Sequence, residues 1–316
     1  MLCIHLKNTD PLFCLAAEEY LLKNFPDDIF MLWQSDNTVV VGKHQNALAE
    51  INYRFVREHG INVARRISGG GTVFHDQGNV NFAFIKNVKS PAEISFKQFT
   101  APVVETLAKL GVTATTSGRN DLMIDGLKIS GNAEHVFKNR VLHHGTLLFN
   151  SNLGNLGQAI KVTPGKYESK AVQSNRSPVA NISQFLPTPM TTAEFVRFLL
   201  AVQLENPANK MYSFSENDNS ATEKLATEKF RTWEWNFGYS PKYTFKNEVK
   251  IDGKTLKINL QVERGIIVQV EIMGDYFRQN QANSIQNGLL QKRHDFDEVR
   301  KVFSEVENQF IYLFFS

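Results

Sequence analysis

Short strands and helices alternate along the first two-thirds of this 316-residue chain, and turn signals separate them. The apolar alternation at 2–6 and the apolar runs at 29–33 and 38–41 predict strands. Asp10 followed by Pro11 predicts the start of a helix, because aspartate caps helix N-termini and proline suits the first turn. This alternation is typical of sheets covered by helices, so the sequence predicts an α/β (α+β) fold.

After Pro241 the pattern changes to consecutive short strands. Strands are predicted at about 244–251, 254–261 and 266–272, and helices at 283–291 and 297–312. This succession indicates a second, small α+β domain. We therefore predict a catalytic domain over residues 1–241 and an accessory domain over residues 242–316.

The charge balance argues against a partner that carries many phosphates. The chain has 35 Lys+Arg and 32 Asp+Glu, which leaves a formal net charge of +3. A nucleic-acid binder usually shows a clear surplus of basic residues, so we expect no nucleic-acid partner. No apolar run approaches the roughly 20 residues that span a bilayer, so we expect no membrane partner either.

Cysteine content and the first residues indicate a cellular location. The cysteines are Cys3 and Cys14, too few for a disulfide framework or a four-ligand zinc site. The N-terminus has no basic stretch followed by an apolar one, as a secretory signal would require. We predict a soluble cytoplasmic protein.

The segment RRISGGGTVFHDQGN at 65–79 contains three successive glycines. Glycine backbone N–H groups can approach a phosphate closely because no Cβ intervenes. Arg65 and Arg66 alternate along the preceding strand, so only one of them should face a ligand. The segment matches neither a P-loop nor a dinucleotide-binding turn. A glycine-rich hairpin with a solvated arginine pair is the alternative.

A second segment, SGRNDL at 117–122, precedes a hairpin predicted at Asp125-Gly126. On the following strand Lys128 and Ser130 share one face, which would hold the lysine ammonium in a fixed position. A fixed ammonium can stabilise negative charge that develops in a reaction. Asp121 can bind Mg²⁺. A solvated strand lysine and an ordinary turn aspartate are the alternatives.

Two further segments carry candidate residues. In LHHGTL at 142–147, the adjacent histidines should point to opposite faces of a strand, which argues against a shared zinc ion. The stretch 163–181 has little apolar periodicity, and so long a loop is often a functional lid.

Taken together, these segments resemble lipoate–protein ligase A. They occur in the order and with the spacing of that family, and WEWNFG at 233–238 is similar to the family's segment before its accessory domain. The resemblance implies a mixed β-sheet flanked by helices, as in biotin/lipoyl ligase-like catalytic domains, with a small α+β accessory domain.

The resemblance also implies a reaction. Such a ligase activates lipoate (lipoic acid) with ATP and Mg²⁺, releases pyrophosphate, and passes the lipoyl group from lipoyl-AMP to a lysine. The implied acceptors are lipoyl domains of 2-oxoacid dehydrogenase E2 subunits and the glycine cleavage system H protein. Lys128 is implied as the catalytic lysine, and Asp121 as a metal ligand.

Further residues are assigned by the same resemblance to binding of ATP and lipoyl-AMP. The lid at 163–181 is expected to cover the adenylate with Lys170, Ser174, Arg176 and Asn181. The complete set for nucleotide and adenylate binding is Arg66, Ser68, Gly69, Gly70, Gly71, Thr72, Val73, Phe74, His75, Asn79, Asn120, Asp121, Lys128, His144 and Lys170.

Three other functions are open to such a chain. A transferase that forms a thioester needs a cysteine in the acyl pocket, whereas Cys3 and Cys14 precede every motif. A lipoyltransferase that uses only preformed lipoyl-AMP would keep the same motifs. A non-enzymatic sensor of the adenylate is disfavoured by Lys128 together with the full glycine loop.

Overall fold

The structure, a computed structural model, describes residues 1–89, 95–118, 120–175, 177–303 and 307–316. Its strands, in chain order, are β1 (Leu2–Leu6), β2 (Ile29–Trp33), β3 (Thr38–Val41), β4 (Asn62–Arg65), β5 (Val73–His75), β6 (Asn79–Asn87), β7 (Thr115–Ser117), β8 (Asp121–Ile124), β9 (Leu127–Phe137), β10 (Arg140–Leu148), β11 (Tyr167–Ser169), β12 (Lys210–Met211), β13 (Tyr243–Ile251), β14 (Lys254–Glu263) and β15 (Ile266–Gly274).

Several of the helices begin after a residue whose side chain caps them, as Asp10 and Asn52 do. They are α1 (Pro11–Asn24), α2 (Ala47–Glu50), α3 (Tyr53–Glu58), α4 (Phe96–Lys109), α5 (Leu153–Ala159), α6 (Thr192–Leu204), α7 (Glu216–Leu225), α8 (Gln279–Leu289), α9 (Phe296–Lys301) and α10 (Asn308–Ile311). Two π-helical turns (Ala226–Phe230 and Glu234–Gly238) and two 3₁₀ turns (Ile182–Phe185 and Tyr312–Phe314) complete the helical elements of these ranges. Within the described ranges, no helix is both long enough and apolar enough to cross a bilayer.

The main sheet of the described residues has eight strands in the order β12-β1-β2-β6-β10-β9-β8-β7. The β1–β2 pair is parallel, whereas β6 and β9 both run antiparallel to β10. The sheet is therefore mixed, and helices flank it as predicted. Its core holds buried aromatic rings from the strands and from α4 and α6, among them Phe82, Phe99 and Phe195.

Chain contacts divide the protein into two compact units. The first unit holds residues 1–43, 62–156 and 175–231, and includes the main sheet and a three-stranded sheet of the order β4-β3-β5. The second holds residues 44–61, 157–174 and 232–316, with a sheet of the order β11-β13-β14-β15 over the described positions. The second unit thus takes in residues 44–61, 157–174 and 232–241 from before the predicted boundary, and the domain boundary at 241/242 stays a prediction.

The predicted elements differ from the structure at two places. A continuous helix over 297–312 is wrong: α9 ends at Lys301, and helix resumes at Asn308, while residues 304–306 lie outside the described residues. The stretch 163–181 is not irregular throughout, because β11 pairs with β13 in antiparallel register. Its three residues are too few to show a period in the sequence.

Candidate active site

A cleft of about 550 Å³ opens in the first unit and collects many of the residues selected from the sequence. The selected residues that line it are Arg66, Gly71, Thr72, Val73, His75, Asn120, Lys128 and His144. They come from three segments that are far apart in the chain and meet at the strands β5, β9 and β10. The cleft thus joins the glycine-rich loop, the hairpin lysine and one of the paired histidines.

Lys128 is held from both sides of its backbone. Its N–H donates to the carbonyl of Pro178 at 2.9 Å, and its own carbonyl accepts from the N–H of Ala180 at 3.1 Å. The β8–β9 turn fits this position because Asp125 and Gly126 have φ of 49° and 78°, as a two-residue hairpin loop requires. The lysine therefore stands on a hairpin of defined geometry, as the sequence predicted.

The ammonium of Lys128 lies over a glycine and beside a carboxylate. A Cβ built on Gly131 would come within 3.2 Å of the lysine Nζ, so a side chain at this position would crowd the ammonium. Asp121 Oδ1 is 2.9 Å from Nζ, and about a quarter of each side chain is exposed. A partly screened cation at the wall of a cleft is suited to pair with an anionic ligand.

Arg66 shapes the glycine-rich loop from beneath. Its Nη2 donates to the carbonyls of Gly69 at 2.6 Å and Gly71 at 2.7 Å. In a trans peptide the N–H points away from the C=O, so the N–H groups of Gly70 and Thr72 point away from the guanidinium. Burial lowers the pKa of Arg66 to about 10, so the guanidinium remains charged at neutral pH. Arg65 instead donates to the carbonyls of Gly42 and Lys43.

The loop also depends on a close approach of two backbones. A Cβ on Gly42 would lie 2.1 Å from the carbonyl oxygen of Gly70, so any side chain at this position would clash with the backbone. Gly70 itself has φ of 87°, a conformation that glycine adopts readily. Two glycines therefore set the path of the loop at the edge of the cleft.

A chain of hydrogen bonds runs from a buried glutamate toward Arg66. Glu18 Oε2 is 2.7 Å from His144 Nδ1, and His144 Nε2 is 2.6 Å from the Ser68 hydroxyl. A carboxylate only accepts, so Nδ1 carries a proton that it donates to Glu18. The Ser68 hydroxyl accepts from Arg66 Nε at 3.0 Å and can donate to His144 Nε2. Trp33 Nε1 donates to the second oxygen of Glu18 at 3.1 Å.

This arrangement contains the residue types of a hydrolase triad, but it does not present a nucleophile. Ser68 is 1% exposed, and it is not among the residues that line the cleft. A nucleophile must reach its substrate. The hydrogen-bond chain therefore orients His144 and Arg66 rather than attacking a ligand.

His75 is buried at the cleft and is a poor base. Burial, with added effects of Arg66 and His144, lowers its pKa to about 3, so the imidazole is neutral at physiological pH. Its Nδ1 has no hydrogen-bond partner within the described structure, which leaves a buried polar atom at the cleft wall. Phe74 alternates to the other side of β5 and is 1% exposed.

The histidine pair splits between the two faces of β10, as the sequence predicted. His143 stacks on Phe99 with ring centroids 4.8 Å apart, and its Nδ1 lies 2.9 Å from Glu134. Burial lowers the pKa of His143. His144 alone of the pair faces the cleft.

Some selected residues lie elsewhere. Asn79 is fully buried, and its Nδ2 donates to Asn81, which lines the cleft instead. Lys170 and Ser174 belong to the second unit, Asn181 holds the backbone of Ser151, and Arg176 lies outside the described residues. The roles assigned to these residues stay predictions.

Sequence reasoning missed several lining residues. Glu18, Trp33, Asn81 and Asn132 line the cleft, and none of them belongs to a segment that was selected for its motif. One signal was available for Glu18, because two successive glutamates interrupt the buried apolar run of α1. A carboxylate in such a run needs a buried partner, which points to a site.

No group of three metal-ligating side chains converges anywhere in the part of the chain that is described. Asp121 is not among the residues that line the cleft, and its Oδ1 is paired with the ammonium of Lys128. Mg²⁺ needs few protein ligands when a nucleotide supplies phosphate oxygens. Asp121 is thus compatible with an ion that arrives with ATP, rather than with a metal held by the protein alone.

Two family models match the chain. The model described as lipoyl protein ligase A/B catalytic domain matches residues 10–203, and the model of the bacterial lipoate protein ligase C-terminus matches residues 240–313. Lipoate–protein ligase 1 of Staphylococcus aureus is 40% identical over 301 residues, covering 95% of this chain and 92% of its own. The lipoate-protein ligase LplJ of Bacillus subtilis is 39% identical over 302 residues, covering 94% and 91%.

Solved structures agree with these matches. A bipartite lipoate protein ligase from Thermoplasma acidophilum, described with its E2 lipoyl domain, has a TM-score of 0.65 and 26% identity over 75% of this chain and 96% of its own. A protein from the same organism, solved with bound lipoic acid, has a TM-score of 0.65 and 25% identity, covering 75% and 98%. A lipoate-protein ligase A bound with ATP has the same score, identity and coverage. The chain belongs to the lipoate–protein ligase family and is a ligase.

Proposed function

We propose that this protein activates lipoate with ATP and transfers the lipoyl group to a lysine of an acceptor protein. In the first step a carboxylate oxygen of lipoate attacks the α-phosphorus of ATP. The bond from this phosphorus to the bridging oxygen breaks, pyrophosphate leaves, and lipoyl-AMP forms. In the second step the neutral lysine amine attacks the acyl carbon, the bond to AMP breaks, and an amide forms.

The position of Lys128 is the observation that carries this proposal. Two anions must approach each other in the first step, so positive charge must already be in place. Lys128 stands at the cleft on a fixed hairpin, over Gly131, with Asp121 at 2.9 Å. Lys128 can exchange this carboxylate for the lipoate and α-phosphate oxygens. The bound ligands of the T. acidophilum protein (lipoic acid) and of lipoate-protein ligase A (ATP) support the same substrates here.

Mg²⁺ enters this proposal as part of the nucleotide substrate. The ion prefers oxygen ligands and retains water, so phosphates and one carboxylate suffice to hold it. Asp121 is the carboxylate at this place. When bound, the ion would shield charge on the leaving pyrophosphate.

The second step requires loss of a proton from a lysine whose usual pKa is about 10.4. His75 is too weak a base, because its pKa is lowered to about 3. Both ring nitrogens of His144 have partners, and Asp121 is assigned above to the ion that arrives with ATP. We propose that the acceptor lysine is deprotonated by desolvation, with the proton passing to water.

Lipoyl domains of 2-oxoacid dehydrogenase E2 subunits and the glycine cleavage H protein are the proposed acceptors. The T. acidophilum ligase, described together with its E2 lipoyl domain, supports the first class.

We further propose residues 1–241 as the catalytic domain and residues 242–316 as the accessory domain. We also propose that the protein is located in the cytoplasm.

Lipoate-dependent exchange of labelled pyrophosphate into ATP tests the first step. We expect exchange by the wild-type protein, and transfer to an added lipoyl domain. If exchange is absent while transfer from synthetic lipoyl-AMP proceeds, the protein is a transfer-only lipoyltransferase and the activation step is refuted. If neither reaction occurs, the proposed function is wrong as a whole.

A further inference from the structure

We propose that a cationic surface beside the cleft docks an acidic face of the acceptor protein. The surface, called the lysine patch below, consists of Lys23, Lys43, His135, Phe137, Lys138 and Lys229, all in the first unit. The inference rests on the proposed function and names where its protein substrate binds.

The lysine patch begins where the cleft ends. Ala133 on β9 lines the cleft, and side chains two and four residues further along a strand point to the same face. His135 and Phe137 therefore follow Ala133 along that face, at roughly 7 and 14 Å. The pKa of His135 is lowered mainly by burial. His144, which lies opposite Ala133 in the β9–β10 pair, lowers it further.

Positive charge exceeds negative charge across this surface. Lys23 and Lys229 share the carboxylate of Glu19, at 2.6 and 2.5 Å. Among the residues that the structure describes, neither Lys43 nor Lys138 has a carboxylate within ion-pair distance. Lys43 is close enough for its charge to lower the pKa of both His135 and Lys229, in addition to the main effect of burial. The shared carboxylate therefore leaves an unbalanced cationic surface.

An aromatic ring stands between two of the lysines. The Nζ atoms of Lys23 and Lys138 lie 5.4 and 5.3 Å from the centroid of Phe137. Cation–π contacts of this length restrain long side chains. The lysine patch thus surrounds an apolar ring with restrained ammonium groups. An apolar centre with a polar rim is common in protein interfaces.

The chemistry of the occupant follows from charge and position. The lysine patch is small, and the chain carries a net charge of only +3, so a phosphate backbone is a poor match. The cleft opening beside it must admit an acceptor lysine in the transfer step. Acidic residues around that lysine would pair with the lysine patch and bring its amine to the cleft.

The test measures transfer from synthetic lipoyl-AMP to a purified lipoyl domain by the double variant Lys43→Glu/Lys138→Glu. We expect the KM for the acceptor to rise about tenfold, because reversed charges repel an acidic face. Pyrophosphate exchange, which needs no acceptor, should stay within about twofold of wild type. The increase in KM with added salt should also be smaller than in wild type.

The control is Lys97→Glu/Lys210→Glu, which makes the same change in net charge. Lys97 is exposed on α4, which packs on the His143 face of the sheet, and Lys210 is exposed on the edge strand β12. An equal KM for both double variants would overturn the inference. So would an unchanged KM combined with weaker retention on heparin or on phosphatidylserine vesicles. If wild type transfers no lipoyl group, the proposed function fails together with this inference; transfer with unchanged KM refutes only the inference.

Discussion

Each of the two units buries a histidine that bonds through both ring nitrogens, but the surroundings differ. His144 of the first unit bonds to Glu18 and Ser68 and borders the cleft. His294 of the second unit has Tyr243 Oη at 2.7 Å from Nδ1 and the carbonyl of Phe314 at 2.6 Å from Nε2. It also stacks on Phe315 with centroids 4.7 Å apart.

The two networks differ in the charge of the groups that they contain. Burial lowers the pKa of His294 to about 4, so it is neutral and joins an aromatic core to the end of the chain. The network of His144 includes a carboxylate and a guanidinium, and it ends in a loop at an open cleft. Buried charges need partners, which Glu18 and Arg66 have in the first network, whereas the network of His294 is built from neutral groups.

The largest expected effect concerns the cleft. Lys128→Ala should lower pyrophosphate exchange by about a thousandfold or more, because an electrostatic contact to the developing charge is lost. The melting temperature should stay close to that of wild type, since Lys128 is partly exposed. Lys257→Ala, which changes a partly exposed lysine on β14, is the control. Near wild-type exchange by Lys128→Ala would remove the lysine from the mechanism.

The packing role of His294 predicts a pH-dependent stability. Its pKa is about 6.5 when unfolded and about 4 when folded, so its contribution is complete above pH 6.5 and is lost as the pH falls toward 4. The loss should be on the order of 3 kcal/mol. Denaturant unfolding at several pH values measures it, and His294→Gln should flatten the profile. The exposed His59, changed to Gln, is the matched control; equal profiles for both variants would contradict the assignment.

The loop beside the cleft should respond to added bulk at one glycine but not at another. Gly42→Ala should reduce the free energy of unfolding by about 2 kcal/mol, because its Cβ meets the Gly70 carbonyl. Gly69→Ala adds a Cβ with no atom within 4 Å and should cost much less. Thermal and denaturant unfolding give both values. Similar losses for the two variants would show that this close approach does not determine the loop.

The smallest effect tests the hydrogen-bond chain. Glu18→Gln cannot accept from both Trp33 and His144, so the imidazole should lose its fixed orientation. We expect exchange to fall by about tenfold and its pH profile to shift. Glu19→Gln, at the neighbouring position on α1, should change exchange less, because Glu19 pairs with Lys23 and Lys229 instead. If Glu18→Gln lowers the exchange rate by the same factor at every pH, Glu18 acts only through packing.

Local signals in the sequence predicted most elements correctly. The strands at 29–33 and 38–41, the cap at Asp10, and the Asp125-Gly126 turn are confirmed. These features depend on neighbours in the chain, which the sequence displays directly. The helix over 297–312 was wrong because its apolar spacing does not show where a helix ends and a tighter turn begins.

What the sequence by itself determined is the set of elements, the split of His143 and His144 across a strand, and the hairpin that carries Lys128. The tertiary structure decided that Arg66 holds the carbonyls of its own loop. It also brought Glu18, 126 residues away in the chain, to His144. The physical reason is range: periodicity and capping act over a few residues, whereas buried charges are paired by packing between distant segments.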